Sequence, residues 1–169
     1  ERSELEREFY LQALHKTASM RLIQYEVSNF AKADFQSRSN LKVWDAQPYL
    51  GLGCGAHSFD GVNRWGNVRS MRKYMESVVR EEPPRDFMET PSRLQQASER
   101  LMLSLRRPEG LNILSWQEEF SISFSLEQKN QMEKLKDQDL VSWESPILKL
   151  TTEGMLLADA ITAELMPDI

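Results

Sequence analysis

The last third of the chain carries a regular succession of helix signals that ends in a strand, turn, strand pattern. Three predicted helices begin at N-terminal cap patterns, namely Thr90 with Pro91, Ser115 with Glu118, and Ser125 with Gln128. The segments "DLVSW", "ESP" and "ILKL" then predict a hairpin, and Thr151 is predicted to begin a final helix. Three helices followed by a hairpin are the order of a winged helix, so this segment restricts the fold more than any other.

Winged helices often read DNA with their third helix, and the charge pattern argues against that function here. Residues Glu127 to Asp137 contain three acidic residues and three lysines, so this helix offers no net positive charge to a phosphate backbone. The whole chain has a formal net charge of −5. We therefore expect a structural or protein-contacting winged helix over residues 91–169, and no nucleic-acid partner.

The N-terminal part alternates between helical and strand periodicity. Ser3 and Glu6 form a capping-box pattern, which predicts a helix from Glu4 to Thr17. Ile23, Tyr25 and Val27 then alternate with polar residues, which predicts a strand beginning near Leu22. A helix followed by a strand is half of a repeating α/β unit, as found in barrels and open parallel sheets.

Regular periodicity fades between Lys32 and Asn67, where aromatic residues and glycines are frequent. Long irregular stretches in compact domains are usually functional or disordered, and the aromatic residues favour an ordered, functional segment. Ser70 is predicted to cap a short helix that carries Met71, Tyr74, Met75 and Val78. The pair Pro83 and Pro84 then predicts a linker, so that residues 67–90 form a connecting helix and linker.

Composition bounds the class of protein. Apolar residues make up 40% of the chain, and no apolar run approaches the ~18 residues of a membrane span. A single cysteine excludes an internal disulfide, and with no leader-like segment at the N-terminus the expected location is the cytoplasm. The chain begins without methionine, which we interpret as a fragment of a longer protein.

The stretch "YLGLGCGAHSF", Tyr49 to Phe59, contains three glycines at alternate positions. Its Gly-x-Gly-x-x-Ala pattern matches a dinucleotide fingerprint, but no buried strand precedes it and no helix is predicted to follow. Cys54 and His57 supply only two metal ligands at a C-x-x-H spacing, with His15 alone beyond them. A reactive Cys/His pair, a surface for a flat ligand and a crowded strand without a ligand remain open at this point.

Four ordered motifs resemble one family: "YEVSNFA" at 25–31, "SRSNL" at 37–41, the glycine stretch, and "RWGNVRS" at 64–70. They are similar to the oxygen-independent coproporphyrinogen III oxidase-like proteins, in particular to the radical S-adenosylmethionine (SAM) heme chaperone branch. The weaker "LKLTTEG" at 148–154 extends the resemblance to nearly the whole chain. The resemblance implies an α+β fold, in which residues 1–66 close a radical SAM barrel and residues 91–169 form a C-terminal winged-helix-like domain.

The resemblance also implies cofactors that the chain does not hold by itself. Family members bind a [4Fe–4S] cluster through a C-x-x-x-C-x-x-C loop in an N-terminal barrel, together with S-adenosylmethionine. One cysteine cannot replace that loop. We therefore expect the parent protein to carry SAM and the [4Fe–4S] cluster, and also heme if it belongs to the chaperone branch. The fragment alone is expected to be catalytically inert. Expected partners are a porphyrin or heme, the barrel of the same chain and a heme-accepting protein.

Site residues follow from the same resemblance. It implies cofactor contacts for a set made of Glu26, Asn29, Asn40, Gly51, Gly53, Gly55 and His57. The family's His-Asn-x-x-Tyr heme motif aligns with Ser39, Asn40 and Val43, so its histidine and tyrosine are absent and His57 or Cys54 become the candidate heme ligands. Glu26 and Asn29 can equally be polar residues that satisfy a loop backbone.

A basic cluster, Arg64, Arg69, Arg72 and Lys73, follows the glycines. Guanidinium groups bind carboxylates through two hydrogen bonds, so Arg64 and Arg69 are candidates for binding porphyrin propionates, with a solvated surface as the ordinary alternative. The function expected overall is the C-terminal portion of a radical SAM protein of porphyrin or heme metabolism, either oxidase or chaperone. The alternative is a non-catalytic docking module that presents an acidic winged helix to a partner.

Overall fold

The computed structural model describes residues 2–167, which form an α+β fold of short antiparallel sheets and helices. The helices are α1 Arg2–Ser19, α2 Arg38–Trp44, α3 Met71–Val79, α4 Arg93–Leu105, α5 Ile113–Phe120, α6 Leu126–Asp137, α7 Thr152–Leu156 and α8 Ala158–Leu165. The strands are β1 Ile23–Gln24, β2 Phe30–Ala31, β3 His57–Phe59, β4 Arg64–Asn67, β5 Arg85–Glu89, β6 Leu111–Asn112, β7 Val141–Glu144 and β8 Ile147–Leu150.

The C-terminal part has the predicted winged-helix order. Helices α4, α5 and α6 precede the hairpin of β7 and β8, and β6 adds a third strand that the sequence did not indicate. The sheet order is β6, β8, β7, with both strand pairs antiparallel. Nearly all buried apolar side chains of the described residues lie between Ala97 and Leu165, and we call this set the C-terminal core.

Helix caps confirm part of the sequence prediction and correct the rest. Ser125 caps α6 in a capping box with Gln128, as expected. The predicted cap Thr90 with Pro91 is wrong, because Ser92 caps α4 two residues later. The predicted cap Ser115 is also wrong, because Asn112 caps α5. The side-chain oxygen of Asn112 accepts a hydrogen bond from the backbone N–H of Ser115. Both errors arise because adjacent hydroxyl and amide residues compete for one cap.

The final helix is confirmed in position and corrected in shape. Thr151 caps α7, and its hydroxyl accepts a hydrogen bond from the N–H of Gly154 at 3.0 Å. The predicted single helix is divided at Leu157, where α7 ends and α8 begins at Ala158. Gly154 has no room for a side chain, because a Cβ there would lie 1.8 Å from the carbonyl oxygen of Leu140. Helix α7 therefore packs closely against the backbone of Leu140, just before β7.

The predicted strand near Leu22 is much shorter in the structure. β1 contains only Ile23 and Gln24, and the chain turns back at once to pair them with β2. The N–H of Tyr25 donates to the carbonyl of Asn29 across this turn, at 3.1 Å. Ser and Asn favour such turns through local hydrogen bonds, and they outweigh the alternating pattern. Every strand pair in residues 2–167 is antiparallel, so membership of 1–66 in a barrel stays a prediction.

The middle of the chain forms a second antiparallel sheet in the order β3, β4, β5. Ser70 caps α3 as predicted, whereas the predicted linker after Pro84 is wrong in part, because residues 85–89 form the edge strand β5. All five residues of β5 are exposed. A strand that buries no side chain shows no alternation of polar and apolar residues, so its sequence gives no strand signal.

Helix α1 begins at Arg2, two residues before the predicted start. The side chain of Ser3 lies outside the described part of the structure, so its capping role stays a prediction. Across residues 2–167, the helices are all too short or too polar to traverse a lipid bilayer.

Candidate functional site: the glycine loop and its supports

Hydrogen bonds fix the main chain of the glycine loop, which we define as residues 51–55. The N–H of Gly51 donates to the hydroxyl of Ser58 at 2.9 Å, and the N–H of Gly53 donates to the hydroxyl of Tyr74 at 3.1 Å. The side-chain amide of Asn67 donates to the carbonyl oxygens of Gly53, at 2.9 Å, and Gly51, at 3.4 Å. These polar groups are therefore already paired within the chain and are not vacant for a ligand.

Backbone geometry explains why glycine stands at each of the three positions. A Cβ on Gly51 would lie 2.1 Å from the carbonyl oxygen of His57, so no side chain fits there. Gly53 and Gly55 have φ angles of +101° and +70°, in the left-handed region that favours glycine. A cofactor is not needed to account for any of them, and their predicted contacts with one stay a prediction.

One side of the loop is nevertheless open. A Cβ added to Gly53 would have no atom within 4 Å, and the neighbouring Leu52 is 81% exposed. The Cγ of Arg69 lies 3.8 Å from the corresponding position on Gly55, so this side chain contacts the loop at Gly55. Arg69 is exposed and forms no ion pair with the described residues. Its guanidinium is free to bind an anion.

Arg64, the other predicted propionate ligand, is held by two carboxylates. Its Nε donates to Glu89 at 2.6 Å, and its Nη1 donates to Glu99 of α4. Partial burial lowers the pKa of Arg64, but these two acids more than offset it, so the pKa lies above its ordinary value. The structure therefore gives Arg64 an internal role in joining β4 to β5 and α4.

His57 does not share the open side of the glycine loop. Neighbouring residues of a strand project to opposite faces, and Ser58 is the residue that contacts the loop. The ring of His57 is exposed and lies beside Phe87, with the ring centroids 5.5 Å apart. The backbone of His57 thus packs against Gly51 while its ring lies beside Phe87, and its predicted role as a ligand is untested.

Cys54 is half-buried and is not in a disulfide. Residues 2–167 contain no cluster of three His, Cys, Asp or Glu side chains that could hold a metal ion. His15, the other histidine, is exposed on α1.

The remaining predicted residues form a second group around the turn between β1 and β2. Glu26 is 1% exposed, and its Oε1 accepts a hydrogen bond from the N–H of Ser28 at 3.0 Å. The amide of Asn40, on α2, donates to the hydroxyl of Tyr25 at 3.4 Å. Asn29 is exposed, and its carbonyl closes the turn. Within the described residues, no hydrogen bond joins this group to the glycine loop.

Sequence reasoning missed the three side chains that support the loop: Ser58, Tyr74 and Asn67. Ser58 is fully buried and Asn67 is 8% exposed, and a buried polar side chain normally has a hydrogen-bond partner. Ser58 and Asn67 lie inside the quoted motifs, which is the signal that could have found them. Tyr74 was assigned only to the apolar face of α3.

A cavity of about 240 Å³ lies between α2, the sheet and α4. Its lining is mostly apolar and includes one ion pair: Val43, Ala46, Tyr49, Phe59, Met102 and Leu103, together with Arg64 and Glu99.

Known proteins match this chain over most of its length. Residues 92–157 match the family described as the HemN C-terminal domain. The chain is 30% identical to the heme chaperone HemW of Bacillus subtilis, over 94% of this chain and 42% of the relative. It is 28% identical to HemW of Lactococcus lactis, over 85% of this chain and 38% of the relative. The chain belongs to the HemN-like radical SAM family.

A solved structure supports the fold independently. The coproporphyrinogen III oxidase HemN of Escherichia coli, described as a radical SAM enzyme, aligns with a TM-score of 0.73 at 15% identity. The alignment covers 92% of this HemN-like chain and 39% of the oxidase. At this identity the likeness shows the shared fold, and it extends over both the sheets of the N-terminal part and the C-terminal core.

This HemN-like chain spans about two fifths of the curated relatives it matches. Its own residues do not fit the [4Fe–4S] cluster of radical SAM proteins, because the cluster takes three or four thiolates and the sequence has one cysteine. No chemical step through such a cluster can therefore be assigned to these residues.

Proposed function

We propose that this chain is the C-terminal portion of a radical SAM protein that binds porphyrin or heme in the cytoplasm, with heme-chaperone function favoured over oxidase function. The family match and the relatives named heme chaperones support this assignment. In this proposal S-adenosylmethionine and the [4Fe–4S] cluster belong to an N-terminal barrel of the parent protein, and residues 1–66 close that barrel. Residues 67–90 connect it to the winged-helix-like part, residues 91–169.

The single observation that carries the proposal is the uneven burial of apolar side chains. Of the eighteen large apolar side chains that are exposed in the described residues, fifteen lie between Leu5 and Met88. Residues 97–165, in contrast, bury a continuous core. Exposed apolar side chains in this number, on a segment without a core of its own, favour a contact with another protein segment over exposure to water. A barrel of the same protein is the occupant that the family implies for this surface.

The proposed contact with a porphyrin carboxylate is Arg69, beside the open side of the glycine loop. Of the two arginines predicted for this role, Arg69 has no acidic partner among the described residues, whereas Arg64 has two. A guanidinium that is not already neutralised offers its full charge and donors to a propionate. Gly53 leaves the main chain beside it uncovered.

The test is a heme and coproporphyrin titration of the full-length protein under anaerobic conditions, with Arg69→Ala and Arg80→Ala compared. Arg80 is another exposed arginine, at the C-terminal cap of α3, and serves as the matched control. We expect Arg69→Ala to weaken porphyrin binding about tenfold, because it removes one charge-assisted hydrogen bond to the porphyrin. Arg80→Ala should leave porphyrin affinity unchanged. Equal affinities for both variants would reject the assignment of Arg69.

The parentage itself is tested by iron and sulfide analysis. Full-length protein reconstituted anaerobically should hold one [4Fe–4S] cluster, while the chain described here, with its one cysteine, should hold none. A parent protein that binds no cluster would refute the radical SAM assignment.

Charge distribution favours a second candidate function, a non-catalytic docking module. Residues 1–90 contain equal numbers of acidic and basic residues, so the whole net charge of −5 lies in residues 91–169. Electrostatic complementarity would steer such a surface toward a basic partner, such as a heme-accepting protein, and away from nucleic acid. Replacing Glu127, Glu133 and Asp137 of α6 by their amides should then weaken capture of the acceptor without changing porphyrin affinity. Unchanged capture would reject this candidate.

A further inference from the structure

Three arginines lie seven residues apart along and just beyond α4: Arg93 and Arg100 in the helix, and Arg107 two residues after it ends at Leu105. Seven residues are close to two helical turns, so the side chains of Arg93 and Arg100 leave the same side of the helix axis. Each of them reaches the C-terminal end of another helix. Arg93 donates through Nε to the carbonyl oxygen of Phe120 at the end of α5, at 3.0 Å. Carbonyl oxygens at a helix C-terminus carry partial negative charge and bind cations favourably.

The other two arginines both bind Asp45, which caps the C-terminus of α2. Arg100 donates through Nη1 to the backbone carbonyl of Asp45 at 3.1 Å, and Arg107 donates through Nη1 to its carboxylate. The Arg107 side chain is only 19% exposed, so water screens this ion pair less than a surface pair. We call Arg100, Arg107 and Asp45 the arginine clamp.

The clamp matters because α2 is attached weakly elsewhere. None of its residues is fully buried, Leu41 and Trp44 are half-buried, and its side-chain hydrogen bond from Asn40 to Tyr25 is long, at 3.4 Å. The clamp also carries a cost when closed. The Nε atoms of Arg100 and Arg107 are buried without a hydrogen-bond partner among the described residues, although Arg107 Nε lies 3.2 Å from Glu109. A buried donor without a hydrogen-bond partner costs free energy. This cost lowers the net stability of the contact between the arginines and Asp45, so the contact is easy to break.

We propose that the arginine clamp is an ionic latch that holds α2 against α4, and that α2 moves away from the C-terminal core when the latch is broken. Val43 and Ala46, which line the cavity of about 240 Å³, lie at the end of α2 and just beyond it. Release of the latch therefore widens this cavity and displaces Asn40 on the same helix. The inference rests on the contacts of α2 alone and is independent of the proposed binding of porphyrin.

The test is hydrogen exchange of the full chain by mass spectrometry, with Arg107→Gln and Arg106→Gln compared. Arg106 is the matched control, because it is the adjacent residue, which caps the C-terminus of α4, and it pairs with Asp159 of α8 instead. We expect the exchange rate of the α2 amides to rise about tenfold in Arg107→Gln, because this variant loses one charge-assisted hydrogen bond to Asp45. Amides of β7 and β8 should not change, and Arg106→Gln should leave α2 protected.

Salt gives a second measurement on the unmodified chain. Raising sodium chloride from about 0.05 to 1 M shortens the Debye length from more than 10 Å to about 3 Å, so α2 exchange should rise while exchange in the C-terminal core does not. If Arg107→Gln fails to fold, Asp45→Asn removes the charge from the other side, with the same expected rise in α2 exchange. Unchanged α2 exchange in Asp45→Asn or at high salt, or an equal rise in Arg106→Gln, would overturn the proposal.

Discussion

Replacement of Asn67 by alanine tests the account of the glycine loop most directly. The Asn67 amide is nearly buried and donates to two carbonyl oxygens, those of Gly53 at 2.9 Å and Gly51 at 3.4 Å. A buried acceptor left without its donor costs about 1–3 kcal/mol. The longer bond is weak, so we expect a loss near the middle of that range, about 2 kcal/mol. Local opening of the loop should become about thirtyfold more frequent.

Hydrogen exchange reports this opening at the amides that the loop itself protects, those of Gly51 and Gly55. Asn130→Ala is the matched control, because Asn130 is an exposed asparagine on α6. Asn67→Asp should accelerate exchange at least as much as Asn67→Ala, because a carboxylate would face the same two carbonyl oxygens. If loop exchange in Asn67→Ala equals that in Asn130→Ala, the side-chain amide does not hold the loop and the reasoning fails.

Three further predictions concern other parts of the chain. Gly51→Ala should destabilise the β3–β4–β5 sheet more than Gly53→Ala, because a Cβ at Gly51 would overlap a carbonyl oxygen. A Cβ at Gly53 has open space, so that substitution costs only the ~1–2 kcal/mol of a left-handed backbone conformation. Thermal melts of both variants check this order. Trp116→Phe removes the indole hydrogen bond of 2.9 Å to a buried carbonyl and should lower the free energy of unfolding by about 1–3 kcal/mol in urea titrations. The hydrogen bond from Arg7 lowers the pKa of Glu153 in the folded chain. The contact between Arg7 and Glu153 should therefore stabilise α1 above the ordinary glutamate pKa of about 4.3, and this stabilisation should be lost as the pH falls from there through the lowered pKa of the folded chain. Exchange of α1 amides should show this pH dependence in the natural chain and lose it in Glu153→Gln.

The winged-helix part could be predicted because its signals are local. The caps at Ser125 and Thr151 and the turn before Pro146 each act over three or four residues, and the structure bears them out. The caps at Thr90 and Ser115 were wrong by two or three residues, which is the error expected where several cap residues are adjacent. Local chemistry thus determines which elements form, while competition among neighbours decides their ends.

The glycine loop shows what local chemistry cannot supply. The sequence left a reactive Cys/His pair, a surface for a flat ligand and a crowded strand open for its glycines, and the structure shows positive φ angles at Gly53 and Gly55 and a close backbone approach at Gly51. The groups that hold it come from farther along the chain, Asn67 lying 14 residues from Gly53 and Tyr74 lying 21 residues from it. Pairings over such separations depend on how sheet and helix pack, which periodicity does not encode. The sequence could not show, for the same reason, that Arg64 is paired with acidic residues while Arg69 is not. The acidic partner Glu99 belongs to a helix 35 residues after Arg64.

The distribution of burial has a consequence for how the two parts of the chain respond to stress. Residues 97–165 contain a continuous apolar core, so this part has the contacts needed for a cooperative unit. Residues 2–90 bury little apolar surface of their own. They join that core through the half-buried side chains of Tyr10 and Val27 and through charged contacts, from Arg7 to Glu153, from Arg64 to Glu99 and through Asp45. Charged contacts weaken with salt, whereas apolar burial is strengthened by excluded salts such as sulfate. Both sodium chloride and ammonium sulfate screen the charged contacts, and only the sulfate also strengthens apolar burial. Sodium chloride should therefore loosen residues 2–90 before residues 97–165, and ammonium sulfate should stabilise residues 97–165.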